Sequence, residues 1–467
     1  MKKYRYIYCL VGVLSMGFLL SSCKVGRSYS RPEMALPDSL YFKKDSLSLA
    51  DFEWWQVYTD PQLVALIDQD LTYNKDVLIA AARVKEFAAL KRINTANLLP
   101  QFDMEISAET KSLKDEGKRT SKETYKAYAE LSWELDLWGK LRWARESGVA
   151  EFLSTLEAQR ALQLTIISEV ASSYYELIAL DAEMHILSQT LEDRKANIRL
   201  ARIRFEGGLT SEIPYQQAQV EMARTATMIP EQELAIKIKE NELAFLVGSF
   251  PKEIHRTETL NSLFNMDDLP YGLPSQLLQR RPDIRQAEQS LIAAHAKVGV
   301  AYTSMFPSLS LTAEFGADKS GLSSFLRAPY SLIEGALAGP LFNMGKNRAA
   351  WKAKKASFEQ SLYDYEKTVL NAFMETQNAI LDYDKLREVH KLKAHLERAS
   401  QKYVEFAHLQ YINGSIGYLD VLDAQRGYLD AQIGLNNAIR DELLAVIQLY
   451  KSLGGGWNLT SQTKTHH

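Results

Sequence analysis

Residues 101–108 read QFDMEISA and residues 124–135 read TYKAYAELSWEL, and in both stretches apolar and polar side chains alternate. Residues 308–315, SLSLTAEF, show the same alternation in the second half of the chain. Successive side chains of a β-strand point to opposite faces of a sheet, so a period of two predicts strands with one apolar and one polar face. We place the strands at about 101–110, 125–136, 308–317 and, with less regular alternation, 330–341, and the connecting loops at 111–124 and 318–329.

Each strand pair is followed by a long segment of helical character, at about 138–205 and 345–411. At 1.5 Å per residue, a helix of that length would extend roughly 100 Å. In the second segment, apolar residues are spaced by alternating threes and fours over 358–386, the pattern shifts near Val389, and it resumes over 392–406. This spacing is typical of a coiled-coil seam with one change of phase.

The sequence indicates an internal duplication of one structural unit. An offset of 206 residues places Gly139 on Gly345 and Gly208 on Gly414, where each long helix is expected to end in a turn that favours glycine. The repeated unit is helix–strand–strand–long helix–helix. We therefore divide the chain into a signal peptide at 1–22, an N-terminal arm at 23–60, a first repeat at 61–248, a linker at 249–274, a second repeat at 275–456 and a C-terminal tail at 457–467.

The N-terminus indicates secretion and lipid attachment. Basic residues precede an apolar run over 7–20, which is too short for a membrane span and typical of a signal peptide. The run ends in Leu20-Ser21-Ser22-Cys23, which resembles a bacterial lipobox and predicts an acyl anchor at Cys23. Lys24 is not an aspartate, so nothing obvious retains the protein in the inner membrane. The alternative is an ordinary signal peptide followed by an incidental cysteine.

The composition excludes several classes of protein. The 467 residues contain 55 Lys and Arg against 58 Asp and Glu, so no basic excess suggests a nucleic-acid partner. A mean hydropathy of −0.24 excludes a protein with several transmembrane helices, since each would need about 20 apolar residues. No HExxH, CxxC, P-loop or nucleophile-elbow pattern is present, so we expect no enzyme, no cofactor and no metal site.

Four amphipathic strands of about ten residues have the length to cross a bilayer as β-structure. Four strands cannot close a barrel, and an open edge in lipid leaves backbone groups unpaired at several kcal/mol each. Spanning strands would therefore require several chains in one barrel, with twelve strands from three copies or eight from two. The alternative is a water-soluble sheet packed on helices.

Several motifs, in order along the chain, resemble one family. They are Cys23 to Pro32 (with Arg27 where the family has proline), Trp54-Trp55, Asp60 to Leu63, Trp133 to Gly139, Arg281 to Ile284 with Ala287-Glu288, Phe306-Pro307, Pro340 to Asn343 and Leu449 to Trp457. The chain resembles the outer-membrane factor family of TolC/OprM-like channels, and within it the NodT-type outer-membrane efflux lipoproteins.

The resemblance implies a mainly α-helical chain with a β-barrel part. It also implies a homotrimer in which a twelve-stranded outer-membrane β-barrel is continued by a periplasmic α-helical coiled-coil barrel. Such a trimer is the passive exit duct of a tripartite efflux system, with a periplasmic adaptor and an inner-membrane transporter, most often of the RND type, as partners. The alternatives are a duct for metal-ion efflux or type I protein secretion, or a structural coiled-coil envelope lipoprotein.

The resemblance also assigns roles to the second turn. Asp420 and Asp423 match an acidic constriction at the periplasmic tip, Leu419 matches a hydrophobic ring, and Tyr411 matches a latch tyrosine, whereas Ile416 stands where some members have a latch arginine. Six carboxylates around a three-fold axis should repel one another and attract cations. The plainer interpretation is that acids favour the first turn of any helix. The candidate adaptor contacts are Gly207, Gly208, Leu209, Asn413, Gly414, Ser415 and Ile416.

Overall fold

The computed structural model describes residues 24–34, 48–115, 118–256, 269, 274–319, 329–340 and 343–455. The N-terminal arm contains helix α1 (Trp54–Val57). The first repeat contains helices α2 (Pro61–Tyr73) and α3 (Lys75–Ala96), strands β1 (Gln101–Asp115) and β2 (Lys118–Leu135), and helices α4 (Lys140–Glu206) and α5 (Ile213–Leu246). The second contains α6 (Pro274–Arg280), α7 (Pro282–Thr303), β3 (Ser308–Lys319), β4 (Pro329–Ala338), α8 (Lys346–Ile412) and α9 (Tyr418–Ser452). The described chain is thus mainly helical, with one sheet.

The four strands form one antiparallel sheet in the order β1-β2-β3-β4. Ala129 lies opposite Met104 on β1 and Phe315 on β3, so the alternating apolar residues of neighbouring strands share one face. The part of the chain that the structure describes does not cover this face, since Phe102 and Met104 are 81% and 73% exposed. The predicted segregation into an apolar and a polar face is therefore present in the register of the sheet.

The first hairpin is longer than predicted. Lys111 pairs with Lys122 and Asp115 with Lys118, so most of the polar stretch expected to be a loop belongs to the strands. The prediction was wrong because pairing continues as long as backbone groups meet, and polar side chains do not end a strand. β4 ends at Ala338, three residues before the predicted end at 341, and Gly339 and Pro340 follow it.

The two long helices are equal in length, and their separation along the chain equals the offset of the sequence repeat. α4 and α8 each contain 67 residues and begin 206 positions apart, at Lys140 and Lys346. A glycine with a positive φ precedes each long helix, and another lies in the turn that follows it. In these turns φ is +71° at Gly208 and +75° at Gly414. Residues with a Cβ rarely adopt this left-handed conformation, so glycine determines where each long helix ends.

The chain divides into two compact units that do not coincide with the repeats. One unit contains the sheet, with residues 24–34, 82–157 and 286–367, and the other contains residues 48–81, 158–285 and 368–455. In the second unit, the predicted seam of α8 is buried at Val369, Ala372, Thr376, Ala379 and Tyr383. That part of the coiled-coil prediction is confirmed. No helix among the described residues is long and apolar enough to cross a membrane.

In the unit that contains the sheet, Trp143 holds the N-terminal segment in place. Its side chain is 1% exposed, and its indole N–H donates to the carbonyl of Val25 at 2.9 Å. The ring also packs edge-on against His295 and closely against Gly299, where a Cβ would come within 2.4 Å of the indole. α7 therefore needs a glycine at this point to approach α4.

Arg31 attaches the same segment to α7. Its guanidinium donates to both carboxylate oxygens of Glu288 at 2.6 Å, which is the strong, bidentate form of this pair. Lys24, at the start of the segment, pairs with Glu146 and lies 3.2 Å from the centre of the Trp143 ring. The residues that follow Cys23 are thus held by specific polar contacts.

We expect Gly299→Ala to destabilise the protein by about 1–3 kcal/mol, because the added methyl group overlaps the buried Trp143 ring. Gly427→Ala is the matched control, since Gly427 lies in α9 with no atom within 4 Å of an added Cβ and should gain about 0.5–1 kcal/mol. Denaturant midpoints in detergent measure both. Equal shifts of the two midpoints would contradict the proposed Gly299–Trp143 contact.

Candidate functional site at the two helical turns

The two turns that follow the long helices have the same backbone design. After α4, Gly208 N donates to Phe205 O and Leu209 N to Arg204 O, both at 2.9 Å. After α8, Gly414 N donates to Tyr411 O at 3.0 Å and Ser415 N to Gln410 O at 2.8 Å. These bonds satisfy the last carbonyls of each helix.

The predicted contact residues at these turns are largely accessible. Gly207, Gly208 and Leu209 are exposed at the first turn, and Leu209 leaves 71% of its surface free. At the second turn Asn413, Gly414 and Ser415 are exposed, whereas Ile416 is half-buried and packs on the core of the hairpins. Ile416 therefore contributes to packing as well as to the surface.

The acidic pair at the start of α9 is exposed. Asp420 accepts a hydrogen bond from Gly417 N at 3.0 Å, so its carboxylate caps the helix while remaining accessible. Asp423 lies one turn further along and is also exposed, and Leu419 is 62% exposed beside them. Asp420 therefore acts as a helix-terminal acid, in agreement with the plainer interpretation, and its exposed charge also remains available to a ligand.

Tyr411 lies inside the hairpin core. It is 5% exposed, its ring centre is 5.3 Å from that of Tyr418, and the Arg204 guanidinium lies over the ring at 4.9 Å. Among the described residues its hydroxyl has no hydrogen-bond partner. The structure therefore brings Tyr411 together with the packed interior of the two hairpins, while the three other predicted gate residues are on the surface.

A buried ionic cluster near the turns was not predicted. The carboxylate of Glu221 on α5 is 3% exposed and accepts a hydrogen bond from Arg426 on α9, with Arg194 of α4 at 3.9 Å. The bond from Arg426 lowers the pKa of Glu221, and burial lowers the pKa of Arg194. Arg194 also donates to the side-chain oxygen of Gln425. The cluster therefore joins the first hairpin to the second.

A signal for this cluster does exist in the sequence. Ala218, Glu221 and Thr225 recur at the spacing of one helical face, and all three are buried. An acid within a face of small residues indicates a buried ion pair. Its partners cannot be found this way, because Arg194 and Arg426 lie on other helices.

A cavity of about 440 Å³ lies next to this cluster, between α4 and α9. Its α4 side includes Thr190, Asp193 and Asn197, and its α9 side includes Leu429 and Gln432. Two residues of α8, Val404 and His408, complete the lining, and His408 Nε2 lies 3.2 Å from the side-chain oxygen of Asn197. The contact between the two hairpins at this level therefore contains polar as well as apolar side chains and is incompletely packed.

Comparison with known proteins defines the class. The family model described as outer membrane efflux protein matches residues 66–249 and 273–455, one match in each half of the chain, so the chain belongs to this family. The resemblance to the outer-membrane factor family is thereby confirmed, and the role it supports is that of an outer-membrane efflux channel. This is a family of transport proteins rather than enzymes.

Individual relatives are similar over nearly their full length. The cation efflux system protein CusC of Escherichia coli is 29% identical over 457 residues, covering 96% of this chain and 99% of the relative. The probable efflux pump outer membrane protein TtgC of Pseudomonas putida is 30% identical over 464 residues, covering 96% of each. The solved structure of the outer-membrane channel OprN has a TM-score of 0.87 at 30% identity, covering 93% of this chain and 100% of that one.

We expect Glu221→Gln to destabilise the protein by about 1–3 kcal/mol near pH 7, since the variant leaves buried Arg194 without its carboxylate. A lowered carboxyl pKa stabilises the fold above the ordinary value of 4.5, and this stabilisation is lost as the pH falls through the lowered value. The difference from wild type should therefore persist at pH 5–7 and diminish in stronger acid.

Glu233→Gln, which changes an exposed acid of the same helix, is the control and should leave the midpoint nearly unchanged. Denaturation of both variants and the wild type between pH 3 and 7 measures the effect. A constant difference across this range would contradict the assignment to the Glu221 carboxylate.

Proposed function

We propose that this chain is the outer-membrane exit duct of a tripartite efflux system. Three copies form a passive channel that receives small molecules from an inner-membrane transporter, of the RND type, through a periplasmic adaptor. The observation that carries the proposal is the four-stranded sheet, whose apolar face is exposed and whose β1 and β4 each have one edge unpaired within the described chain. Lipid tolerates neither open edge, and three copies supply a closed twelve-stranded barrel.

The polar face of the sheet supports an aqueous lumen. Asp103 lies opposite Glu130, and Glu130 lies opposite Glu314, so three acids follow one another across three strands. Like charges placed directly opposite each other destabilise a sheet unless water and ions screen them. A water-filled interior meets this requirement and would favour cations over anions.

The gate is proposed at the start of α9. In a three-fold assembly Asp420 and Asp423 supply six carboxylates around one axis, and exposed Leu419 supplies an apolar ring. Charged rings select ions, and apolar constrictions close a pore by excluding water. Tyr411 stabilises the hairpin behind the gate, and the Glu221 cluster, rather than an arginine at position 416, holds the two hairpins together.

The anchor and the adaptor contacts complete the proposal. Cys23 lies outside the described residues, and its acylation would tie the N-terminus to the outer membrane while Arg31 and Trp143 hold the segment that follows. The exposed turns at 207–209 and 413–416 are the candidate surfaces for the adaptor. Relatives are named for the efflux of cations or of toluene. Metal-ion efflux, and type I protein secretion as implied by the family resemblance, are the alternative uses of the same duct.

Replacing both gate acids tests the function directly. We expect Asp420→Asn with Asp423→Asn to raise the resting conductance in planar bilayers and to abolish block by divalent cations, because asparagine keeps the capping oxygen of residue 420 but removes the charge. Asp430→Asn, at an exposed position further along α9, is the matched control and should conduct like the wild type.

Unchanged conductance and unchanged cation block in the double variant would contradict the gate. A wild-type protein and a double variant that both fail to conduct would instead favour the structural envelope lipoprotein. Copurification of the wild type from membranes, followed by identification of the adaptor and transporter, separates RND-type efflux from the alternatives.

Cys23→Ser tests the anchor. We expect the variant to lose fatty-acid labelling but still to form trimers, because the sheet and helices supply the contacts between copies. Metabolic labelling with palmitate and size measurement in detergent provide the two readouts. Retained labelling would show that the acyl group is attached elsewhere.

A further inference from the structure

The second half of the predicted coiled-coil seam on α8 is not covered by the described residues of its own chain. Leu392, Leu396, Tyr403 and Phe406 are 64%, 48%, 52% and 60% exposed, whereas the first half of the seam, over 369–383, is buried. The part of the predicted seam that follows the change of phase is therefore exposed in the described chain. Four large apolar side chains on one stripe of a helix indicate an interface.

The repeat indicates what covers the stripe. Subtracting the offset of 206 places Leu392, Leu396, Ala399, Tyr403 and Phe406 on residues of α4 that line the cavity facing α9, namely Ile186, Thr190, Asp193, Asn197 and Leu200. α4 and α9 are also joined by the bond from Asn436 to the carbonyl of Ala179 at 2.9 Å. The exposed stripe on α8 is thus equivalent to the surface of α4 that contacts α9.

In the first repeat, the long helix α4 contacts α9, the final helix of the second repeat. If the long helix of the second repeat makes the equivalent contact, α8 meets α5, the final helix of a first repeat. The α9 residues that line the cavity are Gln425, Tyr428, Leu429 and Gln432, and their counterparts on α5 are Gln219, Met222, Ala223 and Ala226. Within its own chain, α5 contacts α4 through the bond from Gln232 to Leu180 O at 2.8 Å and α9 through the Glu221–Arg426 pair. Because the α8 stripe stays exposed in the presence of its own chain's α5, an α5 that covers the stripe must come from a second copy.

The side chains of the two surfaces are complementary. The α8 stripe presents large apolar groups, and the α5 surface presents Ala223 and Ala226 beside Met222. Large side chains of one helix pack closely against small residues of another, as knobs enter holes. In the first repeat the equivalent α4 surface carries the smaller polar residues Thr190, Asp193 and Asn197 among apolar ones, and that contact contains a cavity.

We propose that Leu392, Leu396, Tyr403 and Phe406 of one copy pack on Met222, Ala223 and Ala226 of a neighbouring copy. The contact uses two different surfaces, so it is head-to-tail and closes into a ring when the rotation allows. The inference rests on the proposed assembly of several copies and adds the residues that form the interface. At the level of the cavity, contacts between hairpins then alternate around the ring, with mixed polar and apolar side chains within a copy and mainly apolar ones between copies.

Disulfide cross-linking tests the interface in the full chain. The test variant combines Leu396→Cys with Ala223→Cys. These positions were chosen because their counterparts in the other repeat, Thr190 and Leu429, line the same cavity. After oxidation in membranes and non-reducing electrophoresis, we expect covalent dimers and trimers. The matched control is Arg398→Cys with Ala223→Cys, because Arg398 is exposed on α8 outside the stripe. Wild type and the single variants measure the background from native cysteines.

The first pair should give a cross-linked fraction several-fold above the control pair. A fraction equal to the control, or a disulfide within one copy, would overturn the interface. If the wild type is nevertheless trimeric and conducts, the proposed function survives and the contact lies elsewhere. If it is monomeric and does not conduct, the proposed function itself fails.

A second measurement does not depend on disulfide geometry. Leu396→Lys should reduce the oligomeric fraction in detergent, because it places a charge in the apolar contact between copies. His395→Lys, at the adjacent exposed position, should leave that fraction unchanged. Equal oligomeric fractions for Leu396→Lys and wild type would overturn the proposal.

Discussion

The pairing of backbone groups in the sheet is the constraint on which the rest of the protein depends. β2 and β3 find partners on both sides, whereas β1 and β4 find one partner each within the described chain. In a hydrocarbon environment the remaining donors and acceptors must be satisfied, and no side chain can do so along a whole strand. The proposed assembly of copies, the apolar face toward lipid and the polar face toward water follow from this requirement.

The duplicated helices solve a second version of the same problem. Each repeat builds a hairpin that cannot bury its surface alone, so the two hairpins of a chain bury part of it against each other. Ala201, Ala218, Ala407 and Ala424 form two pairs related by the offset of 206 and lie together in the core near the turns. Small residues at equivalent positions allow both hairpins to approach closely. The surfaces left over belong, in our proposal, to neighbouring copies.

The two repeats have nevertheless diverged in chemistry. Tyr411 is buried in the second hairpin, while its counterpart Phe205 in the first is 38% exposed. The acids at 420 and 423 have Pro214 and Gln217 as counterparts, so only the second turn carries the charges proposed for the gate. The two repeats thus share one architecture, but the buried tyrosine and the acids proposed for the gate both belong to the second turn.

Local periodicity accounts for what the sequence determined by itself. The alternation in 101–108 and 308–315 identified strands and their faces, because a period of two depends only on neighbouring residues. The glycines at 208 and 414 identified the ends of the long helices, since positive φ is a property of one residue. The offset of 206 likewise needed no knowledge of contacts, and neither did the prediction of a signal peptide before Cys23.

Tertiary structure decided the features that join distant residues. The ends of the strands depended on which backbone groups meet, so the polar stretch at 111–115 became part of β1. The burial of Glu221 between Arg194 and Arg426, and of Tyr411 beside Tyr418, depended on how four helices pack. The exposed stripe on α8 has the same spacing as the buried one, and spacing alone cannot distinguish a surface covered by the same chain from one left for another. Burial is a property of the whole packed arrangement, whereas periodicity is a property of one segment.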